Sequence, residues 1–454
     1  MSLTILDTDI SGGGAAYTAT ATEETIVLTE GTTLISTGSS GIYNDGSFEN
    51  TNVVVAGSVF TSGNAVNLRA SAPSAGNHSV TVLESGVIVA ETFTGILIEG
   101  ANSIATNYGQ ITTSRSIGMF LSDSDFGSLI NYGTVTPSHP GLYSSTMGVD
   151  SNVTAAHIEN HGILTSNGTV EGALNIEASG TVTFLNTGTV TTTGQAYASV
   201  NQAVDTVINT GLIRGEVNLG GGGDIFAGLG GTIDGRILAG GGNDDIRISG
   251  SSDWVHGGAG ADVLYTDGDA TTLYQIETVR LLGTDGVHVG GDITATTYYG
   301  SLGDDVVEAG AGNDVIYGRG GNDELHGGLG DDTIRGGMGD DEIRGGEGLD
   351  RLIGDAGADT YVFANIAEMS AGTAGDRIEL EQGVDLIDLS NIADGVIDFI
   401  GGAAFSGTAV AEVRVIAAAS GHGIVMVDIN GDGAEDARLV ILDNSALTAD
   451  DFLL

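Results

Sequence analysis

The chain has 454 residues, 41% of them apolar, which is enough to bury a core and excludes a disordered polymer. Glycine fills 76 positions, more than twice the usual share of about 7%, and proline only three, so tight turns dominate. Sixty acidic residues face 13 basic ones, all Arg, for a formal charge of −47; phosphate recognition needs a cationic surface, so nucleic acid is excluded as a partner and cations are expected. The absence of cysteine excludes disulfides, thiolate zinc sites and cysteine nucleophiles.

Residues 1–13 hold no basic cluster and no apolar run of signal-peptide length. No stretch approaches the roughly 20 apolar residues of a transmembrane helix. The expectation is a soluble chain without a transmembrane segment and, if it is exported, with its address elsewhere. Residues 1–215 carry a loose repeat in which Asn-x-Gly precedes an apolar strand: Asn107, Asn131, Asn160, Asn186 and Asn209, followed by Ile111, Val135, Ile163, Val190 and Leu212. The intervals are uneven, longest from Asn131 to Asn160 and shortest from Asn186 to Asn209, with Glu84-Ser-Gly86 one period ahead and Asn44-Asp-Gly46 a candidate start. Turn signals recurring at such a period, joined to β-branched and Thr-rich strands, predict rungs of a parallel β-helix. The turn asparagines are expected to be structural, since Asn tolerates the left-handed conformation. In pattern alone, this half resembles the passenger domains of surface adhesins and polysaccharide-active β-helix enzymes.

No His-Glu-x-x-His helix, Gly-x-Ser-x-Gly elbow, P-loop or dinucleotide fingerprint occurs. His157 and His161 are four apart, but Asn160 opens a turn, so no helix and no zinc pair are expected there. Up to Asn218 only Arg69, Arg115 and Arg214 could meet an anionic sugar, whereas the two carboxylates of a glycosidase could come from Asp123 and Asp125 or from Glu159 and Glu171. Scattered surface acids are commoner than catalytic pairs, and no catalytic residue is assigned.

Beyond Asn218 the acidity rises and becomes periodic: residues 1–218 hold 18 acids and 3 Arg, residues 219–454 hold 42 and 10. Residues 300–362 form seven consecutive nonapeptides. Position four is Gly303, Gly312, Gly321, Gly330, Gly339, Gly348 and Gly357; position six is Asp305, Asp314, Asp323, Asp332, Asp341, Asp350 and Asp359. Position eight is Val307, Ile316, Leu325, Ile334, Ile343, Leu352 and Tyr361. Position five is Asp304, Asn313, Asn322, Asp331 and Asp340 before lapsing to Leu349 and Ala358. Six turn residues and a short strand with one inward side chain cannot form a core alone, but stacked coils can. Two units close one coil, which places Asp305, Asp323, Asp341 and Asp359 in one column and Asp314, Asp332 and Asp350 in another. At the roughly 4.8 Å spacing of neighbouring strands, adjacent carboxylates repel by about 4 kcal/mol at an effective dielectric near 20. A cation is therefore expected to be required for folding, and a site of hard oxygen donors on flexible turns favours Ca²⁺.

These units resemble the Gly-Gly-x-Gly-x-Asp-x-apolar-x repeat of RTX (repeat-in-toxin) proteins, and residues 327–335 and 336–344 fit it at every position. The resemblance implies a parallel β-roll with several Ca²⁺ ions held between turns by Asp carboxylates and backbone carbonyls. Weaker copies lie upstream around Asp224, Asp244, Asp253 and Asp262, while residues 266–299 have lost the glycine turns and read as connecting solenoid. After Phe363 the chain resembles the carboxyl-terminal domain of serralysin-type metallopeptidases, through Gly383-Val-Asp-Leu-Ile-Asp-Leu-Ser390, Phe399-Ile-Gly401, Phe405-Ser-Gly407 and Val427-Asp-Ile-Asn-Gly-Asp-Gly433. That implies a β-rich cap carrying an uncleaved signal for a type I secretion exporter, without the protease domain. Asp428-x-Asn430-x-Asp432-Gly433 copies the opening of an EF-hand loop, but the twelfth position is Leu439 and a β-hairpin turn is expected instead.

The expectation is thus an all-β chain: a parallel β-helix-like solenoid over residues 1–215, degenerate repeats and connecting solenoid over 216–299, an RTX β-roll over 300–365 and a β-rich cap over 366–454. Its function is expected to be that of a secreted calcium-binding protein, folded by Ca²⁺ outside the cell, with a surface, adhesive or matrix role that could involve glycans. A polysaccharide-active β-helix enzyme is the alternative.

Overall fold

A computed structural model describes residues 2–114, 117–137, 145–167, 172–200, 202–228, 230–249, 254–270, 272–284, 286–369, 375–381, 384–393, 395–418, 421–442 and 447–454. Among these the chain is all-β, relieved by the 3₁₀ turns Ile366–Glu368 and Ala449–Asp451. Among the described residues no helix is long and apolar enough to cross a membrane. Asp253, Arg115, His139, Glu171 and Gly383 lie outside the described residues. The chain divides into two compact units, Met1–Ser252 with His256–Gly260, and Asp253–Val255 with Ala261–Leu454.

The first unit is a parallel β-helix. Its strands alternate inward apolar and outward polar residues, as in Asn52–Val55, where Val53 and Val55 are buried. Parallel register stacks Ile26, Val53, Val80, Ala105, Leu129, Ile158, Phe184, Val207, Phe226 and Ile246 in one column, all fully buried. Burying each large apolar side chain contributes about 1.5–3 kcal/mol, so a column of this kind supplies the cohesion that no single rung has.

The asparagine repeat has a different cause from the one expected. Asn107, Asn131, Asn160, Asn186 and Asn209 end their strands pointing inward and fully buried, and positive φ falls instead on Asn50, Asn77 and Asn102. A buried amide must be satisfied. Nδ2 of each of the first four donates to the Oδ1 of the next rung, at 2.8, 2.9, 2.8 and 2.7 Å along the series, and Asn209 Nδ2 ends the ladder on Thr232 O. Val82 occupies the register position before Asn107, so the ladder begins there. Asn44 belongs to another corner, where its Nδ2 meets Phe48 O and Thr51 Oγ1.

The second unit stacks two apolar spines. One runs Tyr298, Ile316, Ile334, Leu352, Ile378 and Ile441; the other runs Val289, Val307, Leu325, Ile343, Tyr361, Ile387 and Phe452. Within the nonapeptides each residue pairs with its counterpart two units further on, as Ile316 does with Ile334 and Leu325 with Ile343, which is the two-unit coil that the frame predicts. Residues 266–299 continue the stack through the parallel strands Thr278–Leu281, His288–Gly290 and Thr297–Tyr299. Towards the carboxyl terminus the pattern changes to antiparallel pairing of Ala411–Ala417, Gly423–Asp428 and Ala437–Leu442.

Candidate metal centre

From the second nonapeptide on, each turns through left-handed backbone: Gly328 and Gly330 have φ of +112° and +122°. At Gly330 a Cβ would also stand 1.7 Å from Gly312 O, so conformation and close stacking both demand glycine. The turn delivers its position-six aspartate to the interior, and all seven from Asp305 to Asp359 are buried.

These carboxylates point along the stack. In one column the N–H of Val287, Asp305, Asp323 and Asp341 donates to Oδ1 of Asp305, Asp323, Asp341 and Asp359, at 2.9, 2.8, 2.9 and 3.0 Å. In the other the N–H of Thr296, Asp314 and Asp332 donates to Oδ1 of Asp314, Asp332 and Asp350, at 2.7, 2.7 and 2.9 Å. Two residues that sequence reasoning missed extend the columns: Asp350 N–H donates to Asp376 Oδ1 at 3.0 Å and Asp359 N–H to Asp385 Oδ1 at 3.1 Å. Both carry the Asp-x-apolar signature, as Asp376-Arg-Ile378 and Asp385-Leu-Ile387, displaced from the nine-residue frame.

The second carboxylate oxygen carries the chemistry. Oδ2 of Asp314, Asp323, Asp332, Asp341, Asp350, Asp359 and Asp376 is buried with no hydrogen-bond donor. A buried carboxylate oxygen without a donor is costly unless a cation meets it. For the five from Asp323 to Asp359 it faces the bare side of a glycine, with a neighbouring carbonyl oxygen at the first three. A Cβ on Gly318 would stand 2.3 Å from Asp323 Oδ2 and 2.5 Å from Gly336 O; one on Gly327 would stand 2.2 Å from Asp332 Oδ2 and 2.6 Å from Gly345 O. Gly336 repeats the arrangement with Asp341 Oδ2 and Gly354 O, while Gly345 and Gly354 face the carboxylates of Asp350 and Asp359. Carboxylate and carbonyl oxygens gathered without a nitrogen donor fit a hard cation such as Ca²⁺, and glycine at position one leaves it room. Asp305 differs, because its Oδ2 already accepts the Ser301 N–H at 2.7 Å. At the far end Asp385 Oδ2 accepts the Glu381 N–H at 2.7 Å.

Burial, reinforced by neighbouring carboxylates, pushes Asp314, Asp323 and Asp376 up to about 7, Asp350 to about 8, and Asp341 and Asp359 to about 6. Asp332 rises to about 6 and Asp305 and Asp385 rise as well, for the same first cause. The position-five residues are exposed and serve the next coil: Asp304, Asn313 and Asn322 accept the N–H of Asn322, Asp331 and Asp340 through Oδ1, at 2.7, 3.1 and 2.9 Å. Asp331 and Asp340 do the same for Leu349 and Ala358. Of the position-four glycines, Gly312, Gly321, Gly330, Gly339, Gly348 and Gly357 have positive φ, whereas Gly303 does not and donates its N–H to Ser301 Oγ at 3.1 Å.

Upstream, the same device appears in the first unit: the N–H of Asp205 and of Asp224 donates to Oδ1 of Asp224 and Asp244, both at 2.7 Å. Asp262 is buried and donates its N–H to Glu277 Oε2, a longer acid in the place of an aspartate. The Asp428 loop closes on itself, with Asp432 and Gly433 donating their N–H to the Asp428 carboxylate at 3.2 and 2.8 Å, between antiparallel strands. His157 and His161 stand on the strand Ala155–Asn160 and just beyond it, each bonded through Nε2 to the Glu159 between them, at 2.6 and 2.8 Å.

The profile of the RTX calcium-binding nonapeptide repeat (4 copies) matches residues 238–273, 299–334 and 335–363. The chain therefore carries RTX calcium-binding nonapeptide repeats, folded as a parallel β-roll. Among solved structures it is similar to the solution structure of the AlgE6R3 subunit from the Azotobacter vinelandii mannuronan C5-epimerase, with 27% identity over 38% of this chain and 80% of that one and a TM-score of 0.18. No curated protein matches it.

Proposed function

We infer that the chain is a secreted protein whose second unit is folded by calcium and whose first unit presents an extended surface for adhesion or matrix assembly. Asp314, Asp323, Asp332, Asp341, Asp350 and Asp359 hold the ions through Oδ2, joined at Asp323, Asp332 and Asp341 by carbonyls of the position-one glycines Gly336, Gly345 and Gly354, and Asp376 closes one column. The observation that carries this reading is the row of buried carboxylate oxygens without donors. A site with a dissociation constant near 10⁻⁴ M gains about 1.4 kcal/mol in millimolar calcium and almost nothing at cytosolic levels. Several such sites together rival a domain's whole stability of about 5–15 kcal/mol. The chain would then cross a type I exporter unfolded and be trapped outside by folding. The serralysin-like segments after Phe363 support the carboxyl-terminal cap as the address read by that exporter. Circular dichroism of the full chain at pH 8 tests the reading: β structure and protease resistance gained when calcium replaces EGTA agree with it, and identical spectra reject it.

One observation favours a polysaccharide-active alternative. Glu99 is held above the usual carboxylate range by burial and by Asp123 and Asp150, although Arg69 opposes the rise. A buried acid whose pKa is raised among neighbouring carboxylates is the arrangement of a glycosidase acid. A glycan array followed by product analysis separates the two readings, since an adhesin retains intact glycan and an enzyme releases products.

A further inference from the structure

We propose that Glu324, His326 and Glu342 form a binding site for a divalent first-row transition ion of the Zn²⁺ type, separate from the aspartate cradles. The three residues lie on the adjacent parallel strands Glu324–Leu329 and Glu342–Glu347, whose register sets Glu324 directly beside Glu342 and His326 beside Arg344. Leu325 and Ile343 between them are buried in the spine, so Glu324, His326 and Glu342 share the outer face. One ligand atom from each lies within 4.8 Å of the other two. His326 Nε2 is 3.4 Å from Glu324 Oε1, too long for a strong hydrogen bond and close enough for both to turn onto one ion.

The surrounding charges compensate the pair of carboxylates only in part, since Arg344 acts on Glu342 through its charge alone. Like charges set side by side on neighbouring strands are destabilising. Along their own row the flanking residues are Val306 and Thr360, neither of them cationic. Arg344, two residues after Glu342, directs Nε and Nη2 to Glu368. A cation between Glu324 and Glu342 turns the repulsion into attraction. The imidazole selects which cation: calcium takes oxygen ligands, whereas one imidazole with two carboxylates is a zinc-type donor set. A cavity of about 350 Å³ lined by His326, Glu308 and Arg344 adjoins the ring. It offers room for the water that completes a site with three protein ligands.

Isothermal titration of Zn²⁺ into the full chain, held in millimolar Ca²⁺, tests the proposal on wild type, His326→Ala and Glu342→Gln. Both substitutions are on the outer face, and circular dichroism checks that each variant folds as wild type does. The expected result is one Zn²⁺ equivalent lost in His326→Ala and weakened at least tenfold in Glu342→Gln. In the first unit, His157→Ala should leave that equivalent in place. The proposal is overturned if His326→Ala and wild type give the same isotherm, or if wild type takes up no Zn²⁺.

Discussion

Acid should replace calcium. The perturbation is a drop from pH 8 to pH 5 in metal-stripped protein, and its sign follows from the aspartate columns. Folding raises Asp314, Asp323 and Asp376 to about 7, Asp350 to about 8 and Asp332 and Asp341 to about 6, from a usual 3.8. The folded state therefore binds more protons than the unfolded chain between about pH 4 and 8, so these groups favour folding at low pH and lose that effect as pH rises through 6 to 8. Rises of roughly two to four units correspond to ~3–6 kcal/mol against each charged form, and solvent reaching the turns reduces this to about half or less. Six such groups still sum to on the order of 10 kcal/mol, comparable with the stability of a whole domain. Metal-free protein should therefore gain β structure in its second unit on going from pH 8 to pH 5, with a midpoint between about 6 and 7. Far-UV circular dichroism of the full chain across this range, without calcium, gives the answer. A spectrum that does not change, or order that increases towards pH 8, would refute the electrostatic argument.

Three substitutions probe the same columns and the first unit. Asp332→Asn keeps an oxygen for the Asp314 N–H but removes the buried charge, so the metal-free midpoint should move to higher pH while calcium affinity falls about tenfold or more, near 1.4 kcal/mol; circular dichroism across pH reads the first and calcium calorimetry the second. Gly327→Ala places a methyl 2.2 Å from Asp332 Oδ2, and a calcium requirement for folding several-fold higher than wild type is the expected outcome of a calcium titration followed by circular dichroism. Asn131→Ala breaks the bonds to Asn107 and Asn160, leaving Asn107 Nδ2 with only its 3.3 Å backbone acceptors and Asn160 Oδ1 without the Asn131 donor, at about 1–3 kcal/mol; the first unit's melting temperature in calcium should drop by several degrees, and an unchanged melt would show the ladder to be passive.

The solenoid was legible because its periods are strict. A nine-residue frame with one inward residue per unit forces a two-unit coil, and Ile316 over Ile334 follows by arithmetic. Less was visible where the frame slips: Asp376 and Asp385 join the columns well beyond the two-unit step from Asp350 and Asp359, because the chain between makes the excursion containing Ile366–Glu368. Orientation was hidden too. Composition marks an aspartate as a ligand candidate, but only backbone geometry shows Oδ1 spent on the preceding coil and Oδ2 left open, or Asp305 already satisfied by Ser301. The turn asparagines were found for the wrong reason, since a sequence does not distinguish an amide stacked inside from one adopting positive φ at the surface. Glu324, His326 and Glu342 went unnoticed because positions seven and nine vary freely, and their proximity exists only across the two-unit register.

The central claim is that calcium on the buried carboxylates decides whether the roll exists at neutral pH, and amide hydrogen exchange across residues 300–362 tests it most directly. The main-chain N–H groups of Asp314, Asp323, Asp332 and Asp341 bond to the columns themselves, so their exchange reports the site. Peptides spanning them should exchange within seconds at pH 7.5 in EGTA and become protected by at least a hundredfold in millimolar Ca²⁺. Equal protection in both conditions would contradict the account.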